Sequence, residues 1–68
     1  MKIKVKISRT SDEKEIQMEK GSIVLDLLNK LKFKPDNVVV MQGKSPVPID
    51  EILEDKQEIT IIQVFSGG

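Results

Sequence analysis

The chain contains no cysteine, no histidine, no tryptophan and no tyrosine, and its 68 residues include only two phenylalanines. Without cysteine there is no disulfide, no iron–sulfur ligation and no thiol nucleophile. With histidine missing as well, the nitrogen and sulfur ligands of a structural zinc site are absent. Scarce aromatics leave no platform on which bases could stack. Eleven basic and eleven acidic residues cancel. That balance argues against nucleic-acid binding, which calls for a basic excess or stripe. No apolar run reaches the length of a membrane span, and no signal-peptide core follows Met1. The composition therefore reads as a cytoplasmic protein with neither a nucleic-acid nor a membrane partner.

What remains is a small domain that must be held by aliphatic packing. A chain of this length buries only about 60% of the surface its unfolded form exposes. Lys2-Ile3-Lys4-Val5-Lys6-Ile7 alternates strictly, placing Ile3, Val5 and Ile7 on one strand face and three lysines on the other. After a polar turn, residues 13–19 alternate again. Ile16 and Met18 point inward and Glu13, Glu15, Gln17 and Glu19 point outward, with a phase irregular enough near the turn to suggest a bulge. Paired as a hairpin, the lysine and glutamate rows face each other. Such pairs contribute roughly 0.2–1 kcal/mol each and need no ligand.

Gly21 ends the second strand and Ser22 is the expected N-cap of a helix. Val24, Leu27, Leu28 and Leu31 follow at the spacing of an amphipathic helix. Pro35 disfavours helical geometry at Lys34, predicting that the helix stops by about Phe33. Val38-Val39-Val40-Met41 reads as a third strand, with Val38 and Val40 on one face and Val39 and Met41 on the other. One pair belongs to the core, and the other would enlarge an apolar patch on the opposite face. Gln42-Gly43-Lys44-Ser45 is a turn. Pro46-Val47-Pro48-Ile49 suits only an edge or very short strand. Asp50-Glu51-Ile52-Leu53 suggests a single helical turn, and residues 54–57 a further turn. The run over 59–65 is the most apolar segment and predicts a central strand flanked on both sides.

The order is β-β-α-β-β-β, an α+β chain with one helix packed on a mixed sheet and one sheet face left open. Residues 1–65 form the domain and residues 66–68 a flexible tail ending in Gly67-Gly68. Glycine lacks a Cβ, so a diglycine can pass through a narrow tunnel that other residues would block. A frayed tail is the bland alternative. The acidic pairs Asp50/Glu51 and Glu54/Asp55 sit on adjacent loop positions with no apolar pocket, and read as solvated surface rather than acid–base machinery.

This order, with Gly21-Ser22 leading into Asp26-Leu27-Leu28, the strand and turn from Val40 to Gly43, Val47-Pro48, and the ending Gln63-Val64-Phe65-Ser66-Gly67-Gly68, resembles the ubiquitin-like β-grasp sulfur carriers. That family includes the thiamine-pathway sulfur carrier, the small subunit of molybdopterin synthase, the ubiquitin-related modifier and the small archaeal modifiers. The chain departs from it at Asp55-Lys56-Gln57-Glu58, where the family often has Asp-Gly-Asp-Glu, and at Gln42-Gly43, where it has an Asn-Gly-like hairpin. Any positive φ in the first of these turns would fall on Lys56 rather than glycine.

The resemblance implies a protein carrier rather than an enzyme, with no cofactor bound by the chain itself. An E1-like adenylating enzyme would use ATP and Mg to activate Gly68. A persulfide-bearing sulfur donor would then convert it to a thiocarboxylate. A downstream sulfur-accepting enzyme would use that sulfur for thiamine thiazole, a molybdopterin-type cofactor or tRNA thiolation. The alternatives are a modifier joined through Gly68 to target lysines and a non-covalent interaction module. Gly67 would serve passage into the partner, with Ser66 and Phe65 near its entrance and Phe65 preferred as a docking residue.

Overall fold

The computed structural model describes residues 1–64. Six elements with strand or α-helix geometry form in the expected order: β1 (Lys2–Ile7), β2 (Asp12–Gln17), α1 (Val24–Lys30), β3 (Val38–Gln42), β4 (Ser45–Pro46) and β5 (Glu58–Gln63), with a short 3-10 helix at Pro35–Asn37 before β3. The strands make one mixed sheet in the order β2-β1-β5-β3-β4. β5 lies parallel to β1 and antiparallel to β3, so the last strand is the central one. This is the ubiquitin-like β-grasp arrangement. No helix among the described residues is long and apolar enough to cross a membrane.

The alternation of β1 is realised as read: Ile3, Val5 and Ile7 are buried and Lys2, Lys4 and Lys6 are exposed. They meet Ile59 and Ile61 of β5, Val38 and Val40 of β3, and Val24, Leu27 and Leu28 of α1 in one core. Seven of these side chains are fully buried, each stabilising the fold by roughly 1.5–3 kcal/mol. Val47 and Leu53 close the core from the long connection between β4 and β5.

Several local expectations are corrected. The β1–β2 register runs without interruption from Lys2 opposite Gln17 to Ile7 opposite Asp12, so there is no bulge. The irregular phase has another cause. Asp12 and Lys14 share the core-side face with Ile16 but stay exposed on the outermost strand. The helix N-cap is Ile23, not Ser22. Asp26 supplies the cap from within the helix, its carboxylate accepting the Ile23 N–H at 2.9 Å. The negative charge near the helix start is favourable there.

The helix ends at Lys30, earlier than Pro35 requires. Lys32 turns left-handed at φ 64°. The Lys32 N–H donates to the Asn29 carbonyl at 3.1 Å and the Phe33 N–H to the Leu28 carbonyl at 2.9 Å. That pair of bonds is a Schellman motif built on lysine where glycine is usual. Residues 50–53 form no helical turn. Instead Ile52 bridges Ile23, and the Leu53 N–H donates to the Ser22 carbonyl at 2.8 Å. β4 is confined to Ser45–Pro46, an edge position that suits proline.

Candidate functional site

β5 carries the chain to the last described residue, Val64. The Val64 N–H donates to the Asn37 carbonyl at 2.8 Å, carrying the pairing with the β3 side one residue past the strand. Val64 therefore sits at the end of the sheet where β3 begins. The four sequence-derived site residues, Phe65, Ser66, Gly67 and Gly68, lie outside the described residues. The expected strand over 59–65 is described as Glu58–Gln63.

The open face of the sheet divides into two halves. Beside Val64 it is apolar. Val39 and Ile62 are direct cross-strand partners, and Met41 pairs with Thr60 on one side and Pro46 on the other. Val39 is 40% exposed, Ile62 37% and Val64 44%, and Met41 is half-buried. Of the two faces of β3, Val38 and Val40 are core, and Val39 and Met41 form the patch. β5 is the central strand expected of the most apolar run. It has strand neighbours on both sides, but α1 covers only the face that carries Ile59 and Ile61. Ile62 and Val64 are thus patch residues that the reading of an unbroken apolar run overlooked. Their signal in the sequence was the two-residue phase relative to Ile59 and Ile61.

The other half of the open face is a charge lattice. Lys4 lies opposite Glu15, and Lys6 opposite Glu13. The Lys2 ammonium is 3.7 Å from Glu15, and the Lys4 ammonium is 3.7 Å from Glu58. These pairs are well exposed, so each contributes about 0–1 kcal/mol. The lattice is a solvated sheet face, as its alternation implied.

The acidic loop residues Asp50, Glu51, Glu54 and Asp55 are exposed and lie in the connection between β4 and β5. Asp55 accepts the Lys2 backbone N–H at 2.9 Å, and this bond holds its carboxyl below the usual carboxylate range. Lys56, at φ 63°, takes the left-handed turn position and donates its N–H to the Lys2 carbonyl at 2.8 Å. Gln57, the buried polar side chain among the described residues, accepts the Glu54 N–H and donates to the Gln42 side chain, both at 2.9 Å. This loop secures the start of β1 to the start of β5. Among the described residues, no group of three or more acidic side chains is arranged to hold a metal ion.

A second apolar feature lies elsewhere. Ile52, 64% exposed, and Ile49 border the helix N-terminus, where the Leu25 N–H donates to the Ile49 carbonyl at 2.8 Å. Neither residue borders Val64 through the sheet. The arrangement beside Val64 presents an exposed apolar surface at the last described residue. Its described side chains at Val39, Met41, Ile62 and Val64 are all apolar.

Comparison with known proteins agrees with this geometry. The family model for small archaeal modifier protein 2 matches residues 1–65. An uncharacterized protein of Archaeoglobus fulgidus is 36% identical over 69 residues, a match covering 100% of both chains. The crystal structure of SAMP1 from Haloferax volcanii superimposes with a TM-score of 0.76 over 100% of both chains. At 16% identity, that likeness speaks for the fold alone.

Proposed function

The chain belongs to the small archaeal modifier protein family, ubiquitin-like proteins of β-grasp fold, and from that premise we propose that it is a carrier whose Gly68 carboxylate is activated by an E1-like enzyme. What supports this most is the family match together with the departure of β5, at Val64, beside an apolar patch of Val39, Met41 and Ile62. An α-carboxylate with a pKa of about 3.3–3.7 is ionised at neutral pH and is a poor electrophile. Activation would make one carboxylate oxygen attack the α-phosphorus of Mg-ATP, with pyrophosphate leaving. The partner enzyme supplies ATP and metal, and this chain supplies the docking face and a tail without Cβ atoms at Gly67 and Gly68.

The acyl-adenylate has two fates. Attack by the terminal sulfur of a persulfide donor on the acyl carbon expels AMP and gives an acyl disulfide; attack of a second thiolate on the donor-side sulfur then forms a disulfide with the donor and releases the thiocarboxylate. A sulfur-accepting enzyme for a thiazole, a molybdopterin-type cofactor or a tRNA base would then draw on it. Attack by a target lysine gives an isopeptide bond, and the family's description as modifiers favours this second fate. The test is an intact mass spectrum after incubation with an E1-like enzyme, ATP and a persulfide donor. ATP-dependent exchange of one terminal oxygen for sulfur, lost when Gly68 is deleted, supports the carrier. Lysine-linked Gly68 in extract without sulfur exchange supports the modifier. Neither product, across several E1-like enzymes, returns the chain to a non-covalent docking module.

A further inference from the structure

β2 is an outer strand of six residues, and its hydrogen-bond phase can be read from its end. Met1 and Met18 exchange both backbone bonds, each at 2.8 Å. In an antiparallel ladder bonded and non-bonded pairs alternate. Asp12, Lys14 and Ile16 therefore spend their backbone groups on β1, while those of Glu13, Glu15 and Gln17 point away from the sheet. The other side of β1 agrees, since the Lys4 N–H donates toward β5, to the Gln57 carbonyl at 2.9 Å. Among the described residues, Lys30 covers this outer edge at one point, its ammonium donating to the Gln17 carbonyl at 2.6 Å. Glu13 and Glu15 keep an outward donor and acceptor each.

Such an edge invites another strand. Its side chains say which kind. Residues directly opposite in an antiparallel pair share a face, so two copies of β2 meeting centrally would oppose Glu15 to Glu15, or Lys14 to Lys14 with Glu13 against Glu15. Like charges so placed are destabilising. A register shifted to avoid this runs through Gln17, whose carbonyl Lys30 already holds. Self-association along this edge is disfavoured. The complement of β2 is visible in β1, which sets Ile3 against Ile16, Lys4 against Glu15, Val5 against Lys14 and Lys6 against Glu13.

We propose that the outer edge of β2 docks, by strand addition, an extended partner segment in which lysines alternate with β-branched residues. Backbone bonds to Glu13 and Glu15 would give the attachment, and their carboxylates would select lysine on the open face of the sheet. The proposal is independent of any chemistry at Gly68.

The experiment is hydrogen exchange by NMR on the full labelled chain, with the capped hexapeptide KIKVKI as probe and EIEVEI as control. The expected result is slowed exchange at the Glu13 and Glu15 amides with KIKVKI and none with EIEVEI. Two variants separate backbone from charge. Glu15→Pro removes only an outward N–H, so the β1 ladder and the fold survive, checked by circular dichroism, and protection at Glu13 disappears. Glu15→Gln keeps the N–H and should weaken binding by roughly threefold, the loss of one cross-strand charge pair. No protection at Glu13 and Glu15 with KIKVKI, or undiminished binding by a folded Glu15→Pro, would overturn the proposal.

Discussion

Replacing Lys32 by glycine should stabilise the domain, although lysine there touches little and is exposed. Lys32 is held at φ 64° to close the Schellman motif after α1. A residue with a Cβ costs about 1–2 kcal/mol in that conformation. Glycine removes the cost but enlarges the unfolded ensemble, offsetting about 0.5–1 kcal/mol. The net gain relative to Lys32→Ala, which keeps the strain and removes the charge, is about 0.5–1 kcal/mol. For a domain of this size that corresponds to a rise in Tm of roughly 3–6 °C. Lys34, two residues on, provides the opposite sign. Its φ of −85° suits any residue, so Lys34→Gly should melt below Lys34→Ala. Thermal unfolding of the four variants, followed by circular dichroism in moderate salt, decides the matter. If Lys32→Gly is no more stable than Lys32→Ala, or if both positions respond with the same sign, the left-handed cap is not what ends this helix.

Ile62→Glu places a charge in the middle of the apolar patch while leaving the core side of β5 intact. It should cost under about 1 kcal/mol in a urea melt yet weaken binding to an activating enzyme at least about tenfold by calorimetry; unchanged affinity would remove the patch from the docking surface. Asp55 is expected to give the acid limb of stability. Its folded pKa is lowered by the Lys2 N–H, so its contribution is present above the ordinary carboxylate value of 3.8 and fades as pH falls from there through the lowered folded value. Asp55→Asn should flatten that part of the stability curve relative to the parent chain. An unchanged difference between pH 5 and pH 2.5 would show that the carboxylate is not what clamps the start of β1.

Most of the architecture was legible because it rests on local periodicity. The alternation of β1, the aliphatic stripe of α1 and the β-branched run of β3 each name their buried face without reference to any neighbour. Errors fell where a tertiary partner set the outcome. Ser22 has the side chain of an N-cap, but the bridge from Ile23 to Ile52 fixes the chain one residue further on, and Asp26 caps instead. Lys32 carries no glycine-like signal, so only the packing of Phe33 against the core reveals why the helix stops there. Residues 50–53 have helical composition, yet their backbone groups are taken by the helix entrance.

The same division holds for the candidate site. Ser66, Gly67 and Gly68 are a statement about covalent structure, and that part of the functional reading stands on the sequence alone. Opposite faces for Val39 and Val40 follow from the period of two and need no coordinates. Which of those faces stays open was settled by α1, which covers Val40 and Ile61 and leaves Val39 and Ile62 to meet across the strands beside Val64. Strand order likewise belongs to the fold. Only the insertion of β5 between β1 and β3 brings residues 39 and 62 together and leaves β2 as an outer edge, because cross-strand pairing is a contact between segments distant in the chain.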